Sequence, residues 1–145
     1  MIWARYAIVF LCVAIGVAQL VLWLNATQDM ALGSAAQLMV PAMIAALVEG
    51  QQEARTRKTH PGGKAAWRFA FVATGVAVMM NIGLAFAGPD VAPEFAKLSI
   101  APVQSQQFWM LLGLYALGYV LCNRFFYTLG ISNKLTLMRG RDEAE

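Results

Sequence analysis

Residues 2–24 read IWARYAIVFLCVAIGVAQLVLWL, a nearly unbroken apolar run with a single charge, Arg5, near its start. The part from Tyr6 to Leu24 alone is long enough to cross the hydrocarbon core of a bilayer as an α-helix. A secretory signal peptide is the competing interpretation, because a basic residue precedes the apolar run. The run is longer than a typical h-region of about 7 to 15 residues, and Asn25-Ala26-Thr27 makes a poor cleavage site. We therefore interpret it as a transmembrane span.

The rest of the chain repeats this alternation of apolar and polar segments. The apolar stretches predict spans at about 6–24, 30–48, 69–87 and 108–129. With 13% charged residues and a mean hydropathy of +0.57, the chain is more apolar than soluble domains, in which about 25% of residues are charged. Four spans leave only short connections within 145 residues. The sequence predicts one all-α domain, an integral membrane four-helix bundle.

The basic residues predict the orientation of this bundle. Ten of the eleven Lys and Arg residues fall at the N-terminal end, in the second loop (51–68) or at the C-terminal end, counting Arg124 with the last. The first and third loops hold only Lys97. Because translocated short loops carry few basic residues, we expect both termini and the second loop to be cytoplasmic, N-in/C-in. In the 51–68 loop, each basic charge would attract anionic lipid headgroups by about 1 kcal/mol.

Small residues and one proline stand out in the predicted second and third spans. Ala42, Ala46 and Gly50 repeat every four residues, as do Gly83 and Ala87. Helices in lipid associate through close backbone contact at such residues, so these seams are expected to hold the bundle together. Pro41 removes one backbone hydrogen bond and predicts a kink, which membrane bundles tolerate. A packing kink is the simpler interpretation, and a hinge in a transport cycle is the alternative.

The predicted fourth span carries a polar stripe with a spacing of four residues. Its members are Tyr115, Tyr119, Asn123 and Tyr127. Such a stripe either lines a polar groove or makes interhelical hydrogen bonds worth about 1 kcal/mol each. Thr74 and Asn81, seven residues apart on the third span, share a face and are the expected partners.

Arg124 is the one basic residue inside a predicted span. At the centre of a span an arginine costs about 2.5 to 3.5 kcal/mol on insertion scales, but Arg124 lies near the cytoplasmic end. There it can extend its guanidinium to the headgroups or pair with Glu49, at the same end of the second span. We expect a Glu49 to Arg124 contact.

The sequence gives no pattern for catalysis, metal binding or cofactor binding. No predicted span carries an acidic residue in its middle, where proton-coupled carriers most often place their exchange site. His60 stands alone in the basic loop, and Cys12 and Cys122 lie in apolar stretches where they pack as small hydrophobes. The net charge of +3 is too small to indicate nucleic-acid binding. We expect no enzyme activity, no cofactor and no nucleic-acid partner.

Short motifs along most of the chain resemble an uncharacterised family of short proteobacterial inner-membrane proteins with the ABZJ label. The motifs are Pro41-Ala42-Met43, Glu49-Gly50-Gln51 and Ala54-Arg55, then Pro61 and Ala66-Trp67-Arg68-Phe69-Ala70, then Asn123-Arg124, Leu129-Gly130 and Lys134. The chain departs from the family at Glu53, where the family favours an aromatic residue. The resemblance implies a multi-pass protein with four spans in the bacterial inner (cytoplasmic) membrane, and no particular mechanism.

Short loops, abundant small-residue seams and the absence of a polar midplane favour a protein that acts through packing. We expect a non-enzymatic accessory or assembly subunit, bound to other membrane protein subunits of a larger complex. The alternative is a small homo-oligomeric transporter or channel. In that case Pro41 and the stripe from Tyr115 to Tyr127 would line a pathway between copies.

Overall fold

The computed structural model describes residues 2–28, 34–87 and 105–142, which form four α-helices. These are α1 (Ile2–Gln28), α2 (Ser34–Arg57), α3 (Gly63–Ala87) and α4 (Gln106–Asp142). The predicted all-α class is confirmed for the described chain. Residues 30–33 of the predicted second span and 91–104 of the predicted third loop lie outside the described residues.

Three segments are long and apolar enough to cross a membrane, namely Ile2–Leu24, Gly63–Ala87 and Gln106–Arg141. Many of their large apolar side chains point outward. On α4 the side chains with at least 55% exposure include Met110, Leu114, Leu117, Leu121 and Phe125. Steps of three and four residues place them on one helix face. Soluble monomers rarely expose so long an apolar ridge, whereas lipid accepts it readily.

Local hydrogen bonds explain where α4 begins and where α2 ends. The Ser105 hydroxyl accepts a hydrogen bond from the Phe108 N–H at 3.2 Å, the usual cap of a helix start. After Arg57, Lys58 adopts a left-handed φ of 55°, and its N–H donates to the Ala54 carbonyl at 2.9 Å. This bond is the αL type of helix ending. It ends α2 at Arg57. The helix is therefore about two turns longer than the predicted second span, which ends at Glu49-Gly50.

Contacts between helices show that consecutive helices run in opposite directions. Leu38 and Leu47 of α2 lie beside Tyr119 and Gly130 of α4, so α2 and α4 are parallel. The first turn of α1 contacts the first turns of α3, where Trp3 stacks on Phe69. One end of the bundle therefore holds the starts of α1 and α3, the end of α2 and residues 127–142 of α4. We call it the charged end, because Arg5, Glu49, Glu53, Arg57, Lys64 and Arg68 lie there.

The closest helix contact joins α2 and α4 at two glycines. A Cβ on Gly50 would clash with the carbonyl oxygen of Tyr127, and a Cβ on Gly130 with that of Leu47. Ala46 and Ala42, about one and two turns before Gly50, are fully buried. The predicted seam of α2 is thus a packing surface on which two backbones meet.

The predicted seam of the third span does not pack within the described chain. Gly83 has open space around it, and Ala87 is exposed. The reason is that α3 faces the bundle through another set of small side chains. These are Ala66, Ala70, Ala73 and Ala77, all buried.

Pro41 lies within α2 and is fully buried. Proline has no N–H, so the preceding turn lacks one backbone donor. The Tyr119 hydroxyl donates to the Leu38 carbonyl in that turn at 2.8 Å. A neighbouring helix thus supplies a donor close to the proline, one residue past the carbonyl of residue 37 that loses its own N–H partner.

Gly130→Ala is expected to destabilise the bundle by about 1 to 3 kcal/mol, because its methyl group would press on the rigid backbone of Leu47. Titration of the purified protein from mild detergent into dodecyl sulfate measures the free energy of unfolding. Gly113→Ala, also on α4, is the matched control, since nothing lies within 4 Å of its added Cβ. Equal unfolding free energies for the two variants would contradict the close contact.

Candidate functional site

A bidentate ion pair joins α1 to α2 at the charged end. Arg5 donates from Nε to Oε1 of Glu49 at 2.7 Å and from Nη2 to Oε2 at 2.6 Å. The Glu49 side chain is 2% exposed, whereas that of Arg5 is 41% exposed. Two parallel charge-assisted hydrogen bonds are among the strongest that side chains form. These bonds offset the free-energy cost of removing the Glu49 carboxylate from water.

The predicted contact between Glu49 and Arg124 does not form. Arg124 lies on the side of α4 that faces α3, where its guanidinium carbon is 5.6 Å from the centre of the Trp67 ring. Its Nη1 donates to the hydroxyl of Thr128, one turn further along α4. Arg5 reaches Glu49 instead, because the start of α1 and the end of α2 meet at the charged end.

Deeper in the bundle, Asn123 connects three helices. Its Oδ1 accepts a hydrogen bond from the Tyr6 hydroxyl of α1 at 2.8 Å, and its Nδ2 donates to Oγ1 of Thr74 of α3 at 3.3 Å. All three side chains are buried. Asn123 therefore fixes α1 and α3 against α4 at one depth.

Tyr119, one turn before Asn123, makes a second connection. Its hydroxyl donates to the Leu38 carbonyl of α2 and accepts from Nδ2 of Asn81 of α3 at 2.5 Å. The sequence named Thr74 and Asn81 as partners of the polar stripe, and both make these bonds. The other members of the stripe pack. Tyr115 lies half-buried against the core, and Tyr127 stacks on Phe69 with ring centres 4.0 Å apart.

The charged end contains a cleft of about 420 Å³ between α1, α2 and α3, with Tyr127 of α4 also in its lining. Its wall is aromatic, because Phe69 stacks between Trp3 and Tyr127. Its rim is charged and includes Glu53, Arg57, Lys64 and Arg68.

Sequence reasoning missed both the cleft and the partner of Glu49. All four helices contribute to the lining of the cleft, so no single segment indicates it. The available signal was the four-residue spacing of Lys64 and Arg68, which places both on one face of α3. For Glu49 the signal was the position of Arg5, because both lie near the same end of two consecutive spans.

Within residues 2–28, 34–87 and 105–142, no three His, Cys, Asp or Glu side chains come together as a metal site would require. No protein-family model, curated protein or solved structure matches the chain. The family resemblance drawn from short motifs stays a prediction, and function must be argued from geometry.

Arg5→Gln is expected to destabilise the protein by about 3 kcal/mol, because it leaves the buried Glu49 carboxylate without its cation. Glu49→Gln should be milder, since Arg5 is partly exposed and can turn to water or headgroups. The double variant Arg5→Gln/Glu49→Gln should recover most of the loss. Titration of each of the three variants with dodecyl sulfate measures its free energy of unfolding.

The matched control for this pair is Glu53→Gln/Arg57→Gln. It removes an ion pair of similar length, 2.6 Å, whose arginine is 65% exposed, and should change stability by no more than about 1 kcal/mol. If the two single variants at Arg5 and Glu49 were equally mild, the ion pair would not stabilise the bundle.

Proposed function

We propose that the chain spans the bacterial inner membrane four times, with the charged end in the cytoplasm. The directions of the helices support α2 as the fourth span. Because α1 and α3 both start at the charged end, the chain must return between them, and α2 is the helix that does so. Its 24 residues extend about 36 Å, more than the hydrocarbon thickness of about 30 Å.

The composition of α2 is consistent with this position. Its buried face is made of small side chains, including Ala42, Ala45 and Ala46. Such a helix is less apolar than its neighbours because it contacts protein where they contact lipid. The cytoplasmic placement of the charged end follows from its basic residues, since short basic loops are retained on that side during insertion.

We infer that the protein is a non-enzymatic accessory or assembly subunit of a larger membrane complex. One observation carries this proposal. Among the described residues, every buried side-chain nitrogen or oxygen except Arg124 Nε has a hydrogen-bond partner within the chain. The outward faces of α1, α3 and α4 present large apolar side chains instead. A bundle of this kind is suited to contact neighbours by packing.

The transporter alternative requires a polar surface between copies of the chain. The sequence predicted that Pro41 and the stripe from Tyr115 to Tyr127 would line such a pathway. Pro41, Tyr119 and Asn123 are less than 2% exposed inside a single bundle. A pathway between copies would therefore need other residues, and we favour the accessory subunit.

Cysteine labelling tests the four-span topology. In a chain with Cys12 and Cys122 replaced by alanine, a membrane-impermeant maleimide added to intact bacterial cells should label Thr27→Cys and Gln106→Cys. It should label Thr59→Cys and Arg139→Cys only after the membrane is opened. Labelling of positions 59 and 139 from opposite sides would mean an odd number of crossings between them, and the topology would fail.

Extraction from the native membrane into nanodiscs tests the accessory role. The tagged chain should co-purify with a larger membrane protein in a fixed ratio, as measured by mass spectrometry with quantification of each chain. An unrelated four-span protein with the same tag and expression level controls for random capture. If the chain is recovered alone or only with copies of itself, the proposal is wrong, and flux assays in liposomes become the next measurement.

A further inference from the structure

The charges around the cleft at the charged end do not cancel. Glu49 is held by Arg5, and Glu53 by Arg57 at 2.6 Å. Among the described residues, neither Lys64 nor Arg68 has a carboxylate within the 4.0 Å of an ion pair. The two ion pairs are neutral, so the rim carries a net charge of about +2 from Lys64 and Arg68.

These two cations are placed to act together. They are four residues apart, lie in the first two turns of α3 and both line the cleft. The N-terminal end of a helix carries a partial positive charge, which adds to theirs. Both side chains are exposed, so they are accessible to an anion. The cleft volume of about 420 Å³ lies within the range of about 300 to 1,000 Å³ for small-molecule pockets.

The cleft also has an apolar side beside the cations. Ile2 and Trp3 line it from the first turn of α1, and each is about 40% exposed. That turn begins a segment apolar enough to cross a membrane. Tryptophan at such a position usually lies at the level of the lipid headgroups. The cleft thus joins an anion-binding rim to an apolar wall at the height where a phospholipid has its phosphate and glycerol.

We propose that this cleft binds one anionic phospholipid, with the phosphate held by Lys64 and Arg68 and the glycerol region resting on Ile2 and Trp3. The proposal depends on the membrane placement argued above. It differs from diffuse attraction of headgroups to a basic loop, because it assigns a single lipid to two of the basic residues. Free phosphate would use the two cations but would leave the apolar wall unused.

Native mass spectrometry of the full chain in mild detergent, titrated with phosphatidylglycerol, tests the proposal. Lys64→Gln/Arg68→Gln should raise the dissociation constant of the first bound lipid about 10- to 30-fold, at about 1 kcal/mol per charge. Arg55→Gln/Lys58→Gln is the matched control. It removes the same charge from exposed residues of the same region that do not line the cleft, and should change the constant less than about threefold.

Three results would overturn the site. Equal weakening by both double variants would mean diffuse surface attraction. Displacement of the lipid by inorganic phosphate at comparable concentration would mean a site for a soluble anion. In the nanodisc extraction described above, protection of Lys64 from chemical modification by a co-purifying protein in place of lipid would mean a protein-docking surface. The titration uses the purified chain alone, so its outcome is independent of whether a partner subunit co-purifies.

Discussion

The backbone contact between α2 and α4 at Gly50 and Gly130 is the constraint on which the rest of the bundle depends. Two parallel helices can approach this closely only where side chains are absent, and each glycine faces a carbonyl of the other helix. The contact covers much of the Ala-rich surface of α2. The other helices then attach to this pair, α1 through the bonds from Arg5 to Glu49 and α3 through the bonds to Asn123 and Tyr119.

The polar side chains inside the bundle are subject to a second constraint, which is hydrogen bonding. Inside a membrane, an amide or hydroxyl without a partner costs several kcal/mol, so each buried group must find one in a neighbouring helix. Asn123 and Tyr119 lie one turn apart on α4 and bond to different sets of helices. Together they fix the rotation of α4 and its height relative to α1, α2 and α3. Apolar packing alone specifies such a register poorly, because many rotations bury similar area.

The sequence predicted much of this arrangement where the relevant physics is local to one helix. Hydropathy over about 20 residues indicated the helices, and a spacing of four residues placed Tyr119 and Asn123 on one face, opposite Thr74 and Asn81. The prediction failed where the packing of several helices determines which residues are in contact. Gly83 and Ala87 have the same spacing as Ala42 and Ala46, yet α3 presents another face to the bundle. Among the basic residues at the same end as Glu49, Arg5 and Arg124 lie at or in neighbouring spans, and only the contact between α1 and α2 selects Arg5.

The residues of the charged end link insertion to the proposed binding site. Lysine and arginine outside the spans orient a chain during insertion whether or not they are later paired, since the signal is read before the helices pack. Folding then neutralises some of these charges, because Arg5 pairs with Glu49 and Arg57 pairs with Glu53. Lys64 and Arg68 are left beside a cleft whose aromatic wall is assembled by the same packing. In the proposed topology, residues that orient the chain during insertion would thus form, after folding, a local excess of positive charge at headgroup level, which the proposed anionic lipid would neutralise.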